Sequence, residues 1–272
     1  MQDFSASPRA IAASFWRNRF LIKNLIEREI VGRYRGSYLG ILWSIFNPLF
    51  MLFIYTFVFG EVLNTRWDIG DESKTAFATI LFAGLIAFNF FAECITKAPS
   101  TILHNANYVK KVVFPLEILP IVNIGAAIFH MGISLLVWFI FSLYSFGLPP
   151  ITAIFLPLIL LPLIFFTLGI SWLLSSLGVY LRDVSQVISI FVAALMFLSP
   201  IFYPLTALPE QYRFIFELNP LTPAIEMIRD VLIRGDFPSA EYFLGYFLVM
   251  LLVAWLGFFW FQVTRKGFAD VL

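Results

Sequence analysis

Cysteine is all but absent from this sequence. Cys94 stands alone, which excludes an intramolecular disulfide and leaves the redox compartment unspecified. Histidine is nearly as scarce, with only His104 and His130, so a His/Cys metal centre is not expected. Charge is sparse too: Asp, Glu, Lys and Arg make up 13% and sum to +1, which gives no bulk attraction to nucleic acid or acidic lipid. No G-x-x-x-x-G-K-S/T phosphate loop occurs, so ATP hydrolysis by that route is excluded and no cofactor is expected in this chain. No pair of acids lies deep in the apolar runs, where a membrane-embedded transferase or a proton-coupled carrier would need one. Arg9, Arg17, Arg19, Lys23, Glu27 and Arg28 interrupt the first thirty residues, so no cleavable signal sequence is read and the N-terminus is expected in the cytoplasm.

What fills the chain instead is apolar. Hydrophobic residues make up 60% of it and the mean hydropathy is +0.88, which excludes an ordinary soluble fold. Six runs read as membrane-crossing helices: residues 38–60, 75–95, 119–144, 151–179, 184–202 and 243–263. Each approaches the roughly 20 helical residues that the hydrocarbon core demands. The fold class is therefore all-α, a polytopic membrane protein with both termini inside. Basic residues support that orientation. Seven precede the first run, three lie between the second and third, one is Arg182 and two follow the last, against five on the other side.

The connecting segments carry the detail. Residues 8–31 have helical periodicity, with Ile11, Phe15, Ile22, Ile26 and Ile30 on one side and Arg17, Asn24 and Arg28 on another. That pattern predicts an amphipathic helix in the membrane interface, the alternative being a core-packed helix. A basic, glycine-punctuated corner at 32–40 leads into the first run, where Pro48 should kink the helix beside Asn47. Residues 61–74 are mainly acidic, as expected outside. Glu93 and Lys97 are spaced for an i,i+4 pair. His130 and Asn123 share a face of the third run, and His130 has no carboxylate near it in sequence. Gly169, Ser171, Ser175, Ser176 and Gly178 predict close helix packing in the inner half of the fourth run. Residues 204–242 carry too many charges to span. Thr222, Pro223 and Gly235 there suggest a capped helix with an apolar stripe of Ile225, Ile228, Val231 and Leu232, and hence short re-entrant or capping helices on the periplasmic side.

Residues 97–120 form the one long basic interruption between apolar runs, and Lys97, Lys110 and Lys111 place it in the cytoplasm. Within it, residues 105–114 suit a short surface helix with Tyr108, Val109, Val112 and Val113 on its apolar side, stopped by Pro115. Such a helix would serve as a lever on which a soluble motor pushes; an ordinary basic loop is the other reading. Among the many aromatics, Tyr38, Trp43, Tyr55, Phe88, Phe90, Phe91, Tyr203 and Tyr212 are candidates for stacking against sugar rings in a channel.

Several motifs, in order along the chain, resemble the permease subunit of bacterial polysaccharide ABC exporters, the type-2 family that moves O-antigen, capsular or teichoic-acid polymers. They are RYRGSYLGILW at 33–43, NYVKKVVFPLEILP at 107–120, GVYLRD at 178–183, SPIFY at 199–203 and NP at 219–220. The resemblance implies a homodimer in the bacterial inner membrane paired with two nucleotide-binding subunits, which bind the ATP and Mg. It implies that Asn105, Asn107, Tyr108, Lys110, Lys111 and Phe114 couple to that ATPase. It also implies a lipid-linked glycan on polyprenyl diphosphate, drawn in by Arg28, Arg33 and Arg35 through charge-assisted hydrogen bonds. Those arginines would otherwise serve as topological anchors. A drug or lipid permease of similar architecture is the alternative within transport. A transferase lacks its acid/base constellation, and a purely structural subunit would have no use for the polar lever.

Overall fold

The computed structural model describes residues 7–58, 74–110 and 114–272. The acidic segment 61–73, together with Lys111, Val112 and Val113 of the lever, lies outside the described residues. Among those described, every regular element is helical. The helices are α1 (Pro8–Arg17), α2 (Arg19–Tyr34), α3 (Trp43–Tyr55), α4 (Lys74–Lys97), α5 (Thr101–His104) and α6 (Ala106–Lys110). They continue with α7 (Ile118–Ser145), α8 (Leu156–Tyr180), α9 (Val184–Phe197), α10 (Glu210–Glu217), α11 (Leu221–Arg229), α12 (Ala240–Thr264) and α13 (Phe268–Val271).

Among the described residues, five helical stretches are long and apolar enough to cross a membrane: Gly40–Val58, Thr75–His104, Ile118–Ser145, Ile151–Tyr180 and Ala240–Val271. The fifth expected run, 184–202, is different. Its helix α9 has 14 residues and stops at Phe197, because the chain turns at Ser199 and Pro200. The Asn219 amide secures that turn, donating to the Leu198 carbonyl at 3.0 Å and to the Ser199 hydroxyl at 2.9 Å.

Helix α4 is the axis of the bundle, and its composition explains why. Ala76, Ala78, Ala83, Gly84 and Ala87 leave room for neighbours on several sides, so α3, α7, α8, α9 and α11 all pack on it. Its Phe82, Leu85, Phe88 and Phe91 are fully buried there. The small residues of α8 do what their spacing predicts. A Cβ on Gly257 of α12 would stand 2.0 Å from the Gly169 carbonyl oxygen, and one on Gly178 would stand 1.9 Å from that of Pro99. Only glycine permits these backbones to touch, and α8 with α12 forms the most extensive helix pair in the molecule.

The single helix expected over 8–31 is two, parted at Asn18, whose side chain donates to the Ser14 carbonyl at 2.8 Å. The break divides the expected stripe. Ile22, Leu25 and Ile26 turn inward onto Ile118 and Val122 of α7, and Gly125 receives the Ile26 side chain. Phe15, Trp16 and Phe20 remain exposed, with the Arg19 guanidinium over both the Trp16 and Phe20 rings. Part of this segment is thus core-packed, and part keeps the aromatic face that an interfacial helix requires.

The charged segment 204–242 also folds inward. Helix α11, which buries Ile225 and Ile228 against α4 and α8, runs on through one turn of π-helix, Asp230–Arg234, that buries Val231 and Leu232 and closes on Gly235 at φ 82°, the left-handed residue that ends it. Its first turn is capped by Asn219, which accepts from the Leu221 N–H at 3.0 Å; Thr222, the expected cap, instead donates to the Phe216 carbonyl. Arg229, at the other end of α11, is 1% exposed. Its guanidinium donates to the carbonyls of Pro200 at 2.6 Å, Ile201 at 2.8 Å and Ile80 at 3.4 Å, and to Glu226 at 2.8 Å. Burial pulls the Arg229 pKa down to about 10, with Glu226 opposing the shift, so the group stays charged at neutral pH.

Candidate functional site

A cavity of about 720 Å³ opens between α2, α3, α4 and α7. Each helix contributes a different chemistry to its wall. Helix α2 ends in it with Arg33 and Tyr34. Helix α3 supplies Trp43, Asn47 and Tyr55, α4 supplies Asn89, Phe90 and Glu93, and α7 supplies His130 and Ser134. Pro48 lies on the same wall, inside α3.

The polar end of this cavity is organised by Glu93. Arg33 donates to its carboxylate, and Lys97 lies 3.2 Å from it, which is the i,i+4 pair that the spacing predicts. Lys97 also reaches Glu29 at 3.5 Å. The His130 Nδ1 sits 3.1 Å from both Glu93 oxygens and 3.0 Å from Arg33, and its Nε2 is 3.2 Å from the Tyr34 hydroxyl. His130 therefore does have a carboxylate partner, on another helix. Asn123, on the same helix as His130, donates instead to the Thr101 hydroxyl at 2.7 Å.

Of the residues proposed for a diphosphate, only Arg33 lies in this cavity. Arg28 donates to the Tyr108 hydroxyl at 3.1 Å and so belongs to the connector, while Arg35 is exposed in the corner after α2. Among the candidate channel aromatics, Trp43, Tyr55 and Phe90 line the cavity. Tyr38 and Tyr212 are exposed. Phe88 packs in the core, Phe91 stacks on Phe166 with centroids 5.6 Å apart, and Tyr203 meets the edge of Phe216 and donates to the Phe197 carbonyl.

The connector carries two short helices, α5 and α6, of which α6 falls within the expected 105–114. Asn105 separates them and returns its side chain to the Thr101 carbonyl at 2.8 Å. Asn107 is exposed. Tyr108 stacks on Phe114, with centroids 4.4 Å apart and planes 8° from parallel, which closes the connector on itself. Lys110 donates to the Leu272 carbonyl, so the end of α6 touches the last residue described.

Immediately after Phe114 comes a junction that the sequence did not disclose. Glu117 is buried and accepts from Ser14 of α1 at 2.8 Å and from Arg265, just past α12, at 2.6 Å. Arg265 also donates to the Phe114 carbonyl, and the Trp172 indole of α8 donates to the Glu117 carbonyl, both at 2.8–2.9 Å. Glu117 thus ties the foot of the connector to α1 and to Arg265 through its carboxylate, and to α8 through its main-chain carbonyl.

Comparison with known proteins bears on what such an arrangement serves. The chain is 29% identical over 258 residues to the O-antigen export system permease protein RfbA of Klebsiella pneumoniae, covering 93% of this chain and 95% of that one. It is 24% identical over 262 residues to the protein of the same name from Myxococcus xanthus, covering 96% and 98%. It is 27% identical over 252 residues to the polysialic acid transport protein KpsM of Escherichia coli, covering 89% and 93%. The sequence profile of the ABC-2 type transporter family matches residues 21–233, and it is to this family of membrane-spanning permease subunits that the chain belongs.

Proposed function

We propose that the chain is the path-forming subunit of an ATP-driven exporter that moves an O-antigen-type polysaccharide, carried on polyprenyl diphosphate, across the bacterial inner membrane. Two copies pair with two nucleotide-binding subunits, which bind ATP and Mg. In this reading the chain crosses the membrane six times with both ends in the cytoplasm. Helix α9 makes the fifth crossing together with the turn at 198–203. Helices α1 and α2 lie in the inner interface, and α10 and α11 cap the outer end.

The observation that carries the reading is the mixed chemistry of the cavity. A guanidinium at one end suits a phosphate, while Trp43, Tyr55, Asn47 and Asn89 offer ring faces and amides to sugars. The end-to-end similarity to permeases named for O-antigen export supports the same substrate class. The match to KpsM favours a second reading, a capsular polymer, through the same path.

Force enters at residues 105–114 and passes through Glu117. Lys110→Glu places an acid where the connector is basic, and Phe114→Ala removes the ring on which Tyr108 stacks. Both variants should insert normally and co-purify with the ATPase subunit, yet hydrolyse ATP without exporting polymer. Polymer export at the wild-type rate in both would remove the lever.

A further inference from the structure

Glu93 is an acid in the middle of a cation site. Arg33 from α2, Lys97 from its own helix and His130 from α7 all converge on its carboxylate, and Glu29 holds Lys97 from the far side. His130 apart, the two cations, Arg33 and Lys97, are matched by the two carboxylates, Glu29 and Glu93. Arg33, the guanidinium in the cavity wall, and Lys97 beside it are thus each matched by an acid. The reason is physical: Arg33 and Lys97 brought together without an acid would repel, and each would lose hydration at considerable cost. The consequence is that an anion approaching Arg33 competes for the guanidinium with a carboxylate already there.

Resting on the reading of this cavity as the site of a diphosphate-linked glycan, we infer that Glu93 is an exchangeable counter-ion. It occupies Arg33 when the site is empty, yields it to the phosphate oxygens of an arriving diphosphate, and recaptures it when the ligand moves on. Three features of the site fit an exchange. Glu93 keeps two other partners, Lys97 and His130, so releasing Arg33 does not strand its charge. The Arg33 side chain is 42% exposed, so it has space to turn toward a ligand. A diphosphate presents more acceptor oxygens to the guanidinium fork than one carboxylate does, which favours the forward step. The recapture step answers a requirement of transport, that a site bind firmly enough to load and weakly enough to release. In this scheme Glu93 is a positioning residue: it does not touch the ligand but sets how tightly Arg33 holds it.

The test uses the full-length chain in detergent and reads binding through the fluorescence of tryptophan, Trp43 being in the cavity wall. The probes are polyprenyl diphosphate, polyprenyl monophosphate and inorganic pyrophosphate. Glu93→Gln keeps the shape of the side chain and removes its charge, and should tighten polyprenyl diphosphate by roughly tenfold, on the scale of an ordinary site-to-site coupling. Arg33→Gln should weaken it by about the same factor, and the double variant should match Arg33→Gln, because the carboxylate acts through Arg33. Glu93→Asp, with a shorter reach, should fall between wild type and Glu93→Gln, and it carries the test should the glutamine variant fail to fold. Unchanged or weaker binding in the Glu93 variants, with wild type binding normally, overturns the exchange while leaving the diphosphate reading intact. No binding of any probe by wild type or variants removes that reading and the exchange with it. Pyrophosphate bound as tightly as the lipid, and again tightened by Glu93→Gln, would keep the exchange and assign the site to a free diphosphate.

Discussion

Helix α4 is met by a charged cluster near each of its ends, and the two clusters solve the problem of buried charge differently. Close to Ile80 and Gly84, Arg229 is sealed from solvent and directs its hydrogen bonds mainly to backbone carbonyls. Close to Lys97, Glu93 is held by three side chains from three helices, beside a cavity of about 720 Å³. Carbonyls at Pro200 and Ile201 cannot leave when Arg229 is perturbed, since they belong to the turn that ends α9. Side chains around Glu93 can turn away and find water or a ligand. The first arrangement fixes a geometry, and the second permits a change of partners.

The sharpest way to break this contrast is to remove the fixed charge. Arg229→Met fills a similar volume but leaves the Pro200 and Ile201 carbonyls without their buried donor. It should cost about 3–5 kcal/mol, the range for breaking a buried ionic network. Thermal or denaturant unfolding of the purified protein in detergent measures it. Wild-type stability in this variant would mean that the α9 turn holds itself. A milder probe of the same place is Gly84→Ala, whose Cβ would stand 2.8 Å from the Arg229 Nη2. A long side chain would ordinarily swing aside, but this one is bonded at three nitrogens, so the substitution should cost about 1–3 kcal/mol as overpacking does. A neutral Gly84→Ala in the same unfolding assay would show that the guanidinium has slack.

Much of this was readable from residue order, and what was not shares a cause. Long apolar runs announce spanning helices because length and composition are local properties. Small residues in α8 announce a close neighbour for the same reason, without saying which. The shortness of α9 escaped because the turn that ends it is secured by Asn219 and Arg229, which lie well along the chain in a segment too charged to be read as core. At the cavity, Trp43, Tyr55 and Phe90 follow from their types and positions, and Arg33 from the family resemblance. The Glu93–Lys97 pair was visible because it is local. The other half of Glu93's environment was not, since His130 is 37 residues away and Arg33 is 60 away on the other side. Glu117 and Arg265, separated by 148 residues, carry no local sign of one another. A useful signal does exist: an acid and a histidine in different apolar runs, each lacking a local partner deep enough to satisfy it, are candidates for each other.

The smallest expected effect discriminates most finely between the two clusters. Lys97 bridges Glu29 and Glu93 and is about one-third exposed, whereas Arg229 is not. In Lys97→Met the Glu93 carboxylate retains Arg33 and His130, and Glu29, itself well exposed, turns to solvent. Loss of stability should therefore stay within about 1 kcal/mol, the scale of an exposed ion pair. The same unfolding measurement serves. A loss as large as that of Arg229→Met would mean that the Glu93 cluster is a sealed clamp, in which case Arg33 could not be released without unfolding the inner end of α4. A small loss keeps Arg33 available, because a cluster that tolerates the departure of one cation also tolerates the turning of another.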